Sequence, residues 1–157
     1  MKTSAIILLT TITLQAQNQR NFSHTIQTNN APEAIWSIWT NVDQWHEWDI
    51  GLKSAEMNEV FSLGAREEIL SLEGQKSSFK VVEFVEDESY TMKVKLPLGS
   101  MLIKRFLTYE NEKNYFTHQI SFKGLTGGIF ARMLGKKFKT MLPQAMQNIE
   151  ILANSRS

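Results

Sequence analysis

Between Ser89 and Gly124 the chain alternates apolar and polar residues in three successive runs, parted by turn formers at Pro97–Ser100 and Asn111–Asn114. A period of two is the signature of strands with one covered face. Symmetric loops at the two turns pair Leu96 with Met101, Met92 with Arg105 and Leu107 with His118. Cross-strand partners share a face, so one side collects Tyr90, Met92, Val94, Leu96, Met101, Ile103, Arg105, Leu107, Tyr109, Phe116, His118, Ile120 and Phe122. Eleven of these thirteen are apolar. On the opposite side only Leu102, Phe106 and Tyr115 are apolar, among Thr91, Lys93, Lys95, Lys104, Thr108, Thr117, Gln119 and Ser121. An antiparallel sheet patterned this way faces water on one side, and something else in the chain must cover the other.

The cover is the C-terminal segment. From Ile129 to Ala153 the apolar residues Phe130, Leu134, Phe138, Met141, Leu142, Ala145, Ile149 and Leu152 fall within an arc of about 120°, with Arg132, Lys136 and Lys139 opposite. A helix of that length runs roughly 35 Å, enough to cross a sheet. Pro143 lies inside it and is expected to bend it near Lys139 and Thr140. Ahead of the sheet, Phe22–Thr28 reads as a strand, and Asn29–Pro32 as an N-cap region opening a short helix to Thr40. Ile35, Trp36, Ile38 and Trp39 crowd that helix too densely for a one-faced surface element. Asn41 or Asp43 can cap a second helical turn carrying Trp45 and Trp48. From Lys53 onward, turn signals at Ser62–Gly64, Glu73–Lys76 and Asp87–Ser89 continue the hairpin pattern toward the N-terminus.

A length of 157 residues without repeats or low-complexity tracts fits one domain. The absence of cysteine removes disulfides and thiolate chemistry, and 17 basic against 16 acidic residues leave no global field to attract nucleic acid. Lys2 precedes a ten-residue apolar run, Ala5–Leu14, which ends at Gln15-Ala16-Gln17; this is the layout of a secretory signal cut after Ala16. The run is too short to span a bilayer. The expected division is therefore a leader at 1–16 and a domain at 17–157, with a periplasmic or secreted location; a cytoplasmic protein with an extra N-terminal strand is the alternative.

The stretch Ala31-Pro32-Glu33-Ala34-Ile35-Trp36-Ser37-Ile38-Trp39-Thr40-Asn41-Val42-Asp43-Gln44-Trp45-His46-Glu47-Trp48-Asp49 resembles the opening signature of the START-like (SRPBCC) superfamily. More narrowly, it resembles the polyketide cyclase/dehydrase and lipid-transport group. Gly64-Ala65-Arg66 opening a strand and Met141-Leu142-Pro143 in the last helix are similar too, and the likeness runs over about residues 22–153. It implies an α+β helix-grip fold, a curved antiparallel sheet wrapped around a long C-terminal helix with a cavity between them. It implies no particular activity, because the superfamily spans carriers, receptors, cyclases and co-chaperone-like modules.

Arg105 and His118 are the two polar members of the apolar face, on adjacent strands and diagonal to one another in the assumed register. A buried charge requires a partner, cavity water or a ligand. They are therefore candidates to anchor a carboxylate or carbonyl, with His118 titrating near neutrality as a candidate acid or base. Trp36 and Trp39 read as a plug for one end of the sheet, Trp45 and Trp48 as the rim of a cavity. The expected ligand-binding set is Trp45, Trp48, Tyr90, Met92, Val94, Ile103, Arg105, His118, Ile120, Phe130, Leu134, Phe138 and Met141. The expected occupant is a hydrophobic or amphipathic small molecule such as a lipid. Two alternatives stand beside this reading: a cyclase or dehydratase using His118, and a filled-core interaction module. His24, His46 and His118 lack metal-ligand spacing, and no phosphate loop or nucleophile elbow is present, so neither cofactor nor metal is expected. Between Glu112 and Glu150 there is no acidic residue, while Lys113, Lys123, Arg132, Lys136, Lys137 and Lys139 are present. This basic edge is suited either to solvation or to transient contact with an anionic membrane.

Overall fold

A computed structural model describes residues 20–156; the expected leader at 1–16 lies outside them. Seven antiparallel strands are present: β1 (Asn21–Thr28), β2 (Leu52–Ala55), β3 (Arg66–Ser71), β4 (Lys76–Val85), β5 (Ser89–Leu96), β6 (Gly99–Glu110) and β7 (Lys113–Gly124). Their spatial order is β1-β7-β6-β5-β4-β3-β2, so β2 to β7 form a meander and β1 closes onto the last strand. Helix α1 (Pro32–Thr40) and a 3-10 segment (Val42–Glu47) follow β1, and helix α2 (Gly127–Arg156) follows β7. This is the expected α+β helix-grip arrangement, a curved sheet holding a long C-terminal helix.

The face assignment of β5 to β7 holds, but the pairing is displaced by two residues. Leu96 pairs with Gly99 and Tyr90 with Arg105, while Arg105 pairs with His118 and Leu107 with Phe116. Both turns are tighter than assumed. Asn111 and Glu112 have φ of 51° and 62°, the conformation of a two-residue I′ hairpin turn, and Leu98 has φ of 54° in the two-residue Pro97–Leu98 loop. A shift of two leaves every side chain on its original face, which is why the apolar side was read correctly from wrong partners. One consequence matters for the site: Arg105 and His118 are directly opposite rather than diagonal.

Helix α2 is continuous through Pro143. Its buried residues include Ala131, Gly135, Leu142, Ala145, Met146, Ile149 and Ala153. At 100° per residue their mean direction is rolled by about 60° from the expected arc. Small residues explain the roll. A Cβ on Gly135 would lie 2.5 Å from Cζ of Phe22, so this turn of the helix fits against β1 only because it has no side chain there. The large residues Phe130, Leu134, Phe138 and Met141 are thereby left partly exposed. They sit on the flank of the buried arc away from Ala131 and Gly135.

The opposite end of the sheet is plugged by the tryptophan-rich segment. Pro32 opens α1, and the cap residue is Ala31, without a side-chain bond. Asn30 reaches α2 instead, donating to Glu150 Oε1 at 3.1 Å and Asn154 Oδ1 at 3.0 Å. Asn41 stands at the N-cap of the 3-10 segment, as expected for one of the two candidates, without a side-chain bond to its amides; the Asp43 carboxylate accepts from the Met57 amide. Trp36, Trp39, Trp45 and Trp48 all enter the core, where Trp39 meets Phe116 and Trp45 meets Phe79 at centroid distances of 6.1 and 5.3 Å. Trp45 and Trp48, expected at a rim, are each 1% exposed. The 3-10 segment and Trp48, which ends it, turn both rings inward against Arg105 of β6.

Candidate ligand-binding cleft

Four strands contribute one polar residue each to a single rung of the inner face. His24 on β1 pairs with His118 on β7, His118 with Arg105 on β6, and Arg105 with Tyr90 on β5. Arg105 is 3% exposed, and no carboxylate bridges it; among the described residues the salt bridges are Lys76–Glu68, Lys137–Glu73 and Arg156–Glu47. Its Nη1 donates to the Tyr90 hydroxyl, which donates in turn to the carbonyl of Trp39 at 3.2 Å. That carbonyl also accepts from Trp45 Nε1 at 2.9 Å. The guanidinium lies 4.7 Å from the Trp48 ring, 4.9 Å from Trp45 and 5.5 Å from Tyr90. Three ring faces thus take the place of a counter-ion, an arrangement that suits the weakly hydrated, planar guanidinium.

The rung is electropositive and short of acceptors. Trp39 Nε1, Trp48 Nε1, Arg105 Nε and His118 Nε2 are enclosed without a hydrogen-bond partner. Their side chains adjoin: the His118 ring is 5.4 Å from Trp39 and 5.8 Å from Trp48. Three of the four atoms can only donate. An enclosed unpaired donor costs about 1–3 kcal/mol, so a carbonyl or carboxylate oxygen brought among them gains more than it would at a satisfied site.

Electrostatics follow from this enclosure. Burial, then the neighbouring Arg105 charge, then His24 hold the His118 imidazole neutral, well below its ordinary value of 6.5. The expectation that it titrates near neutrality is therefore corrected. Burial raises the Tyr90 phenol and also the Asp49 carboxyl, the latter opposed by the Gly51 amide and by the charges of Arg105 and Lys137. Asp49 and Gly51 stand where the 3-10 segment leads into β2, against Met141 of α2.

A pH dependence with a defined sign results. The unfolded chain protonates this histidine near 6.5 and the native state does not, so stability present above that pH is lost as pH falls below it. Between pH 7 and 5.5 the loss expected from this one group is about 1 kcal/mol. Asp49, whose carboxyl is raised above 3.8, contributes with the opposite sign. Denaturant unfolding should show the decline in the wild type and its removal in His118→Gln. Equal slopes in the two proteins would mean that His118 takes up its proton within the fold.

Beside the rung the inner face is apolar. Met101, Ile103 and Leu107 on β6 point inward and have strands on both sides, yet all three are partly exposed. Of the expected ligand-binding residues, Trp45, Trp48, Tyr90, Arg105 and His118 form the rung and its cage, and Met92, Val94, Ile103 and Ile120 extend the floor. Phe130, Leu134 and Phe138 pack, as Ile103 does, against the buried cluster that includes Ile120 and Phe122, Phe138 at 6.0 Å from Phe122; Met141 lies at the Gly51 turn. His24, Trp39 and Asp49 belong to the same region and were not anticipated as site residues. His24 had one usable signal, its place in an alternating strand, but its neighbour on β7 is ninety-four positions away. Among the described residues no group of side chains could hold a metal ion.

No family model and no curated protein matches the chain by sequence. Solved structures do match by shape. A protein from Nitrosomonas europaea superposes with a TM-score of 0.71 at 11% identity, over 89% of this chain and 97% of its own. The di-domain ARO/CYC StfQ from the steffimycin biosynthetic pathway gives 0.71 at 11% identity, over 91% of this chain and 54% of its own, so the chain spans about half of it. Ara h 8.0201 gives 0.66 at 12%, over 86% and 97%. The chain shares the helix-grip fold of these structures.

Proposed function

We propose that the protein binds a hydrophobic or amphipathic small molecule between α2 and the inner face of the sheet, with an acceptor-bearing end of the ligand turned toward Arg105. The observation that carries this reading is the partial exposure of Met101 and Ile103 on the inner face of β6, the strand that also carries Arg105, a buried guanidinium without a salt bridge to a carboxylate. Desolvation of the apolar walls supplies affinity at about 25 cal/mol per Å² of apolar area, and the polar rung orients the ligand. In the enclosed state Trp48 shields the rung, so binding of the polar end moves Trp48 outward; its carbonyl is tied to α2 by Asn148 Nδ2 at 3.2 Å. The neutral imidazole of His118 is a poor general acid at neutral pH, which leaves the cyclase alternative only a weak base there. Ligand transport and export after removal of residues 1–16 complete the proposal; intact mass of the exported protein tests the latter.

Titration with an apolar fluorescent probe tests the binding reading. Wild type should bind with saturation, and Ile103→Trp, which adds bulk at the floor, should weaken binding at least tenfold while the protein stays folded. A variant that binds as wild type does would place the probe elsewhere and favour a filled-core module.

A further inference from the structure

The outward side of the same helix carries a feature that the cleft does not use. A surface groove of about 870 Å³ is lined by Leu125, Ile129 and Met133 together with Arg20, Arg132, Lys136 and Lys139. The three apolar residues follow one another at i, i+4 and i+8 and are 84%, 62% and 68% exposed. Leu98, 74% exposed, joins them, because the Leu125 amide donates to the Leu98 carbonyl and brings the β5–β6 turn alongside. Single exposed leucines are common, but four on one end of a domain are not. No carboxylate lines the groove, and the chain has none between Glu112 and Glu150. Lys137 turns the other way and pairs with Glu73 at 2.8 Å.

We propose that this face docks on an anionic lipid bilayer, with Leu98, Leu125, Ile129 and Met133 entering the interface and Arg20, Arg132, Lys136 and Lys139 meeting the headgroups. Charge complementarity selects the occupant. Four cations surround an aliphatic ridge without an acidic residue, the pattern of a helix lying in a membrane interface. A protein partner has no such need for an acid-free surround, and nucleic acid would gain nothing from exposed aliphatic side chains without aromatic rings to stack on. The docked side of α2 adjoins the flank that carries Phe130 and Leu134, so the cleft is kept beside the bilayer. The proposal stands independently of what the cleft binds.

Flotation of the full chain with vesicles tests it. Association is expected with phosphatidylcholine vesicles containing about one-third phosphatidylglycerol, and not with phosphatidylcholine alone. It should be lost at ~0.5 M salt, where screening is strong. The double variants Ile129→Asp/Met133→Asp and Arg132→Glu/Lys136→Glu should each partition at least tenfold more weakly while unfolding at wild-type temperature, since all four positions are on the surface. Absence of binding to the anionic vesicles, equal binding to neutral ones, or variants that float as wild type does would each overturn the proposal. The last result would assign membrane association to another part of the chain, such as the apolar run Ala5–Leu14.

Discussion

Trp39→Ala is expected to destabilise the fold by about 3–5 kcal/mol, the range for deleting a large buried ring. Trp39 is fully buried and touches four other rings at 5.4–6.4 Å: Trp36, Tyr90, Phe116 and His118. It joins α1 to two strands of the sheet, β5 and β7, so the void would open where the plug meets the polar rung. Its carbonyl, which holds Tyr90 and Trp45, is backbone and survives the substitution, but the helix that positions it loses its main contact. A melting temperature lower by roughly 10–20 °C is expected. A fall of only a few degrees would mean that α1 is held by its other buried residues, Ile35, Trp36 and Ile38, and that the aromatic cluster is not the keystone of this end.

Arg105→Met is expected to separate stability from binding. The arginine stabilises its surroundings through three ring faces and one hydroxyl. Against this stands the cost of a buried charge without a salt bridge, several kcal/mol after relaxation and eased in part by the nearby Asp49 carboxyl. Methionine keeps the volume and the ring contacts, and Tyr90 keeps its bond to the Trp39 carbonyl. Stability should therefore stay within about 1 kcal/mol of wild type or rise. Binding of a long-chain carboxylate should weaken about 100-fold, as expected when one member of a desolvated charge pair is removed. A neutral alcohol of the same length should lose less than about fivefold, because only a neutral hydrogen bond is at stake. Marked destabilisation would instead make Arg105 a structural member of the cage.

Alternation in β5 to β7 told the inner face from the outer because a period of two is insensitive to a loop misjudged by two residues. The bounds of α1 were legible for a similar reason, since Pro32 and the crowded apolar residues leave few other readings. The roll of α2 was not, because hydrophobicity alone favours Phe130 and Leu134 over Ala131 and Gly135. What decides is the approach of Phe22, and that depends on which strand closes the sheet. The polar rung was half legible for the same cause. Arg105 and His118 stand out against an apolar pattern, but His24 joins them only through the pairing of β1 with β7, and Trp39 only through the tilt of α1 over the sheet.

The central claim is that a ligand enters between helix and sheet. Methyl resonances of the wild-type protein, followed while a fatty acid is added, test it most directly. Saturating shifts are expected at Met101, Ile103 and Met141, at concentrations about 100-fold lower than those needed in Arg105→Met. Unmoved inner methyls, or shifts confined to Ile129 and Met133 on the outer side of α2, would contradict the account.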